Sequence, residues 1–298
     1  MSGLVEVTHR AHAKINVLLR VLGIRDDGYH DIESLVLPVS LHDLVVVRPG
    51  EGLTVTVSGE RAAALEASPE ENLVLVAARA LASAAGIEKP AAEIEIDKRI
   101  PVAAGLGGGS ADAAAALHAL NELWGCGLDL PTLSRIAADI GSDVPALLAE
   151  SPAYIAGRGE RVEPVHAQQT TWVLAPLPFP VRTPDAYAWW DADGATGPDP
   201  GALIAAAESG NDDLLGSGIY NDLQAPVSAR HPEIRATIDA FMEAGALGAI
   251  MSGSGPTVAA LARYLQHADR LAEAVPGSIV VSAVVSGTGS SSLDLSAG

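Results

Sequence analysis

Apolar and polar positions change rhythm repeatedly along the 298-residue chain, and the rhythm predicts its elements. Residues 5–22, VEVTHRAHAKINVLLRVL, are rich in β-branched and apolar side chains and read as a strand. Asp27-Gly28 marks a turn, after which SLVLPVSLHDLVVVRPG resumes extended structure. In EGLTVTVSGE the alternation is clean, so Leu53, Val55 and Val57 share a face. ENLVLVAARALASAAG moves to helical spacing, with Leu73, Val76, Ala77 and Ala80 on one side and Gly86 as the stop. AEIEID alternates again, and helices are predicted over SADAAAALHALNELWG and DLPTLSRIAADIG. Beyond residue 150, PAYIAGRGERVEPV reads as a hairpin turning at Gly157-Arg158-Gly159, and TTWVLAPLPFPVRTP as a strand entering a proline-rich loop. DGATGPDPGA is a loop followed by a helical region. PEIRATIDAFMEAG and YLQHADRLAEAV are helices, ALGAIMSGSGPTVAALA a glycine-broken strand pair and SIVVSAVVS a strand. Strands and helices do not alternate strictly, so the class is α+β rather than doubly wound.

One segment breaks the rhythm. PVAAGLGGGSADAAAAL, residues 101–117, crowds glycines directly in front of an alanine-rich helical run. Glycine costs roughly 1 kcal/mol relative to alanine in an ordered element, so the backbone itself must be needed here. A helix start offers unpaired N–H groups and the positive end of its dipole, and upstream glycines let a phosphate reach them. No lysine follows in the GxxxxGK[ST] pattern, so this is not a Walker loop. GLGGGS fits GxGxxG only loosely, without a convincing βαβ unit or ribose-binding acid. The plain alternative is a flexible loop with Ser110 as the helix N-cap.

The formal net charge of −19 argues against a nucleic-acid partner and means that an anionic substrate needs a local basic site set against the overall field. The single cysteine, Cys126, excludes an intrachain disulfide and Cys-based zinc spacings. The N-terminal residues carry charge too early for a secretory leader, and no apolar run approaches the ~18 residues of a membrane span. A cytoplasmic globular protein without membrane partners is expected, its oligomeric state open. Only three of the 18 Lys and Arg residues are lysines. Two of them, Lys14 and Lys98, flank the motif-like segments, while Lys89 sits in a bland turn.

Four segments resemble, in order, the GHMP kinases, the superfamily of galactokinase, homoserine kinase, mevalonate kinase and phosphomevalonate kinase. They are AHAKINVLLRVLGIRDDGYHDIESL, the glycine stretch, IGSDVPALL and GAIMSGSGPTVAAL, together spanning residues 11–262. DGYH after AKIN is similar to one branch, whose members phosphorylate the 2-hydroxyl of a cytidyl diphosphate sugar alcohol in non-mevalonate isoprenoid precursor synthesis. The resemblance implies two domains: an ATP-binding domain like ribosomal protein S5 domain 2 over residues 1–157 and a ferredoxin-like substrate domain over 158–289. Residues 290–298 are then expected to be a disordered tail. ATP and Mg²⁺ are implied, with a small-molecule acceptor.

The same resemblance implies roles. Asp143 in GSDVP is the base for the attacking hydroxyl, and Lys14 is its cationic partner. Without the family, a helix cap for Asp143 and a solvent-facing lysine are the default readings. Asn16 shares Lys14's strand face and is placed to bond the substrate. Tyr29 stacks on the cytosine and His30 bonds its edge, with Tyr187 on the far side of the stack, Thr183 donating to a phosphate and Gly253 contacting substrate. Nucleotide binding falls to Pro101, Ala104, Gly105, Leu106, Gly107, Gly108, Gly109, Ser110 and Ala111. Lys98 and Arg99 either balance its phosphates or adjoin the adenine, or else end a solvated strand. Ser110 serves Mg²⁺ or a phosphate, and Asp112 complements the helix dipole in the first turn. Ser252, Gly253, Ser254 and Gly255 form a second glycine turn. No side-chain cluster with metal-ligand spacing is assigned. This chain has His12-Ala13-Lys14 where the family often has Pro-Ala-Lys, and Ser110-Ala111 where it often has two serines. Backbone amides then replace one hydroxyl contact. The competing readings are a homoserine- or mevalonate-type kinase, which has no use for Tyr29-His30; an inactive nucleotide-binding regulator; and a dehydrogenase binding NAD.

Overall fold

The computed structural model describes residues 6–62 and 72–285. Two long strands carry its frame. β1 (Val7–Ile24) and β2 (His30–Arg48) form an antiparallel hairpin around the Asp27-Gly28 turn. β3 (Leu53–Ser58) keeps its predicted alternation of half-buried and exposed positions. α1 (Leu73–Ala84) begins at Asn72, whose side chain accepts the Val74 N–H, and ends ahead of Gly86. After β4 (Ala92–Asp97) come α2 (Gly108–Leu123), α3 (Leu130–Ile140) and the short α4 (Val144–Leu148). The hairpin of β5 (Ala153–Gly157) and β6 (Arg161–Pro164) follows. The remainder comprises β7 (Thr171–Ala175), α5 (Thr183–Asp193), α6 (Gly201–Ser209), α7 (Asp212–Gly218) and β8 (Tyr220–Asn221). It continues with α8 (Gln224–Arg230), α9 (Pro232–Glu243), β9 (Gly248–Met251), β10 (Val258–Ala262), α10 (Leu265–Ala274) and β11 (Ile279–Ser282).

The first sheet runs β3-β4-β2-β1-β8, with β5 on the other half of β2 and β6 beside β5. The second, β11-β7-β10-β9, is antiparallel throughout. A single bridge, Val39 to Ala283, ties β2 to the residue after β11. The hairpin β5–β6 straddles residue 157 and hydrogen-bonds entirely to the first sheet. α2 packs on β1 and β2, and Ala113, Ala116, Leu117 and Leu120, which share one of its faces, are fully buried. The stretch that precedes α2 meets β1 at Lys14, whose N–H bonds the Leu106 carbonyl. β7 alternates between two cores: Trp172 and Leu174 face the first, with Ile15 and Leu117, while Val173 and Ala175 face the second, with Phe241 and Leu271.

Three local expectations change. α2 begins at Gly108 with Gly107 as its N-cap, two residues before the predicted start, so Ser110 is inside the first turn rather than capping it. Asp112 accordingly lies beyond the first turn and is not placed to complement the dipole. Residues 183–193 form α5, where the sequence predicts the end of a proline-rich loop at 183–184 and the start of another loop at 193. Pro184 and Asp185 in its first turn are favourable there, because a helix start has no use for the proline's missing N–H and welcomes a carboxylate. The expected tail at 290–298 lies outside the described residues.

Candidate active site

Two cavities meet at the glycine stretch. One, of about 320 Å³, is lined by Val57, Asn72, Leu73, Ile96, Lys98 and residues 101–110 together with Asp112. The other, of about 500 Å³, is lined by Lys14, Asn16, Tyr29, His30, Asp143, Arg158, Thr183, Tyr187, Asp191, Gly253 and Ser254, among others. Gly105, Gly107 and Ser110 line both, so the stretch is their common wall.

The wall is held by backbone that no side chain obstructs. Gly107 has φ +70°, and a Cβ there would stand 3.0 Å from Lys14 Cγ. Gly105, at φ +75°, lies against the carbonyls of Ser252 and Gly255 in the second glycine turn. The N–H groups of Gly108, Gly109 and Ser110 precede the first intrahelical bond, which Ala111 makes to the Gly107 carbonyl at 2.8 Å.

Lys14 sits at a slip in the β1–β2 register, opposite Pro38. Proline has no N–H to give, and the Lys14 N–H bonds the Leu106 carbonyl at 3.0 Å, stitching β1 to the glycine stretch. The Lys14 ammonium donates to Asn16 Oδ1 at 2.5 Å and stands 3.6 Å from Asp143 Oδ2. Asn16 passes the chain on through Nδ2 to Ser34 Oγ at 2.8 Å, and Ser34 donates to the Leu18 carbonyl. The Lys14 side chain is 6% exposed and that of Asp143 38%, so the ammonium is fixed and the carboxylate opens to the cavity. Asp143 occupies the N-cap position of α4, yet its side chain caps nothing. Its carboxylate is thus free for another partner, and its charge, after burial, pushes the Tyr187 phenol up.

His30 stacks on Tyr187, ring centroids 4.6 Å apart, and its Nε2 is 2.8 Å from Asp191 Oδ1. Tyr187 and Asp191 are four apart on α5, hence on one face. Tyr29 is exposed at the cavity mouth, with the Arg158 guanidinium 5.3 Å over its ring. Thr183 Oγ1 is 3.1 Å from Ser254 Oγ. The glycine turn carrying Gly253 is clamped by Asn221, whose Nδ2 donates to the Met251 and Gly253 carbonyls, both at 2.7 Å.

Lys98 lines the smaller cavity with its ammonium already bound: 2.5 Å from Asp43 Oδ2 and 2.7 Å from Asp112 Oδ2. Arg99 is exposed and bonds Asp97 instead. Burial works to lower the Lys98 pKa, but the two carboxylates outweigh it and the net direction is up. Asp112 is pushed up to about 7, by burial first and by the charge of Asp43, against the pull of Lys98. Its Oδ1 is buried and has no hydrogen-bond partner among the described residues. Asp43, wholly buried, also accepts the N–H groups of Arg99 at 2.5 Å and Ile100 at 2.8 Å, which fixes the chain where it enters the glycine stretch.

Asp43, Arg158 and Asp191 were not singled out in the sequence. Asp43 left a signal there: it has the parity of Val45 and Val47, both fully buried, so its carboxylate had to face inward. Asp191 becomes visible only once α5 is recognised as a helix.

The glycine stretch, the acid–amine pair and the second glycine turn come together at one cleft. The GHMP kinase N-terminal domain family matches residues 72–150 and the C-terminal domain family residues 203–280. The chain belongs to the GHMP kinases, a family of ATP-dependent kinases of small molecules. It is 46% identical, over 91% of its length and 87% of the relative's, to the 4-diphosphocytidyl-2-C-methyl-D-erythritol kinase of Salinispora tropica. It is 43% identical to the enzyme of the same name from Symbiobacterium thermophilum, over 89% and 93% of the two chains. A crystal structure of 4-(cytidine 5′-diphospho)-2C-methyl-D-erythritol kinase superposes with a TM-score of 0.77 at 33% identity, covering 93% of this chain and 98% of that one. Homoserine kinase from Cytophaga hutchinsonii, at 21% identity and a TM-score of 0.75, covers 96% of both chains and shares the fold. Among the described residues no helix is long and apolar enough to cross a membrane.

Proposed function

We propose that the protein transfers the γ-phosphoryl group of ATP to the 2-hydroxyl of 4-diphosphocytidyl-2-C-methyl-D-erythritol, in the cytoplasm and with no nucleic-acid partner. The observation that carries this reading is the common wall: the glycine stretch separates two cavities, and the Lys14–Asp143 pair stands on the larger one. Phosphoryl transfer asks mainly for positioning and charge stabilisation. The smaller cavity takes the nucleoside, walled by Val57, Leu73 and Ile96. The amides at the start of α2 take the phosphates. The chain's division then follows function, with ATP on the N-terminal part and the acceptor between both parts; a boundary near 157 remains our proposal.

Asp143 orients the acceptor hydroxyl and accepts its proton as the new P–O bond forms. Lys14, held by Asn16, keeps that carboxylate ionised and faces the charge that develops at the transferred group. His30 and Tyr187 offer an aromatic face and a polar edge to the pyrimidine, with Tyr29 at the mouth. Thr183 and Gly253 complete the acceptor side. Among the described residues no group of three or more His, Cys, Asp or Glu side chains is placed to hold a metal. A magnesium ion that rides on the phosphates needs only one or two protein oxygens. Ser110 and the unpartnered Oδ1 of Asp112 would supply them, and the bound ion would screen the phosphate charge.

The test is ADP release with 4-diphosphocytidyl-2-C-methyl-D-erythritol, homoserine and mevalonate as acceptors. Turnover confined to the first supports the proposal. Turnover of either small alcohol, with none of the cytidyl compound, overturns it.

A further inference from the structure

The acceptor proposed above carries a diphosphate, and the overall charge of −19 repels it. The larger cavity must therefore hold a cation for it, and the lining has few. The Lys14 ammonium is committed to Asn16 and Asp143, and the His30 ring to Asp191. Among the described residues, Arg158 is the one guanidinium on that lining. Only one of its side-chain N–H groups has a protein acceptor, Nη2 to the Ala138 carbonyl at 3.1 Å.

The chain presents this side chain rigidly. Arg158 lies between two glycines in the left-handed region, Gly157 at φ +74° and Gly159 at φ +124°. Gly159 is pressed against the Ser142 carbonyl, the residue before Asp143. The Glu160 carboxylate folds back to accept the Arg158 N–H at 2.7 Å. One end of the guanidinium is thus pinned to α3, and its face covers Tyr29 at 5.3 Å. The remaining N–H groups suit paired phosphate oxygens, which a planar fork binds better than an ammonium does.

Resting on the reading of the acceptor above, we infer that Arg158 is a specificity residue that binds the acceptor's diphosphate and thereby selects a nucleoside-diphosphate-linked alcohol over a free one. Charge-assisted hydrogen bonds set the expected scale, about 10- to 100-fold in affinity.

The experiment measures binding of cytidine and of cytidine 5′-diphosphate by calorimetry to the wild-type protein, Arg158→Lys and Arg158→Ala. ATP affinity is measured alongside as the check that each variant is folded. The wild type should prefer the diphosphate by at least tenfold. Arg158→Ala should abolish that preference while leaving cytidine affinity within about threefold and ATP affinity unchanged; Arg158→Lys should keep part of it. If Arg158→Ala weakens both ligands equally, the arginine merely holds Tyr29 and the diphosphate assignment is overturned. If the variants keep the full preference, it is equally overturned. A wild type that binds neither cytidine compound overturns the acceptor reading itself, and with it this inference.

Discussion

Removing the Asp43 carboxylate tests how the glycine stretch is held. Asp43 is 0% exposed and serves three donors, the Lys98 ammonium and the Arg99 and Ile100 N–H groups. Asp43→Ala leaves the two amides without an acceptor, at about 1–3 kcal/mol each where water cannot replace it. Breaking a buried ion pair costs about 3–5 kcal/mol, but here Asp112 still neutralises Lys98, which holds that contribution down. A total loss of about 3–5 kcal/mol is expected. Asp43→Asn keeps an oxygen for the amides and forfeits the charge, so it should lose roughly half as much. Urea unfolding of both variants reads these values.

The charge count adds a test by pH. One buried ammonium faces two carboxylates, and Asp112 is pushed up to about 7 from its ordinary 3.8. Between those values the folded protein holds a proton that the unfolded chain releases. The stability this group contributes is therefore complete below 3.8 and lost as pH rises to about 7. Asn at position 43 leaves one carboxylate for one ammonium and removes the repulsion that adds to burial in raising Asp112, so its extra proton is held less tightly. The deficit of Asp43→Asn relative to wild type should then narrow from pH 5 to pH 8. A deficit that stays level or widens would refute the triad reading, as would Asp43→Ala losing under 1 kcal/mol.

Three further outcomes follow from single residues. Asp143→Asn should lower turnover by about 10²- to 10⁴-fold, the usual worth of a positioned base, with ATP affinity intact; near-normal turnover removes the assignment. Gly107→Ala and Gly86→Ala both strain a left-handed residue, at φ +70° and φ +72°, but only the first adds a carbon against Lys14. Each should cost about 1 kcal/mol in denaturant, while only Gly107→Ala slows the reaction; equal activities would show that the contact is idle. Burial, joined by the charge of His42, holds His12 below its ordinary 6.5 despite its bond to the Val39 carbonyl. Its contribution is present above pH 6.5 and is lost as pH falls, so His12→Gln should lessen the drop in melting temperature between pH 7.5 and 5.5.

Much of the first sheet was legible because its strands alternate against one covered face. β3 and β4 show this in residues 53–58 and 92–97. α5 was not: Tyr187, Trp189 and Trp190 surround the helix with aromatic groups, so it shows no clean apolar stripe. Sequence also placed Lys98 beside the nucleotide without its partners, since Asp43 and Asp112 stand 55 and 14 residues away. Lys14 and Asp143 were found through family motifs; strand spacing gave only Lys14 and Asn16 a common face. That Asp143 leaves α4 uncapped is a fact of rotamer and packing that no spacing encodes.

The site has to bring two anions together on a strongly acidic protein, and the way its cations are spent explains why glycine matters so much. Lys98 is held by Asp43 and Asp112, Arg20 by Glu33, Arg25 by Asp27, and Lys14 faces Asp143. Extra lysines near the phosphates would meet the same surplus of carboxylates and pair with them. Backbone amides at a helix start escape that competition, because a carboxylate on the same chain reaches them only as a cap, and Gly107 carries no side chain to cap with. Replacing Gly107 by Asp would strain the left-handed backbone there and set a negative charge beside Lys14 and the amides where the phosphates bind. An acidic chain can thus bind a triphosphate through donors that its own acids cannot neutralise, while the acceptor's smaller charge is left to Arg158, the guanidinium on the lining of the larger cavity.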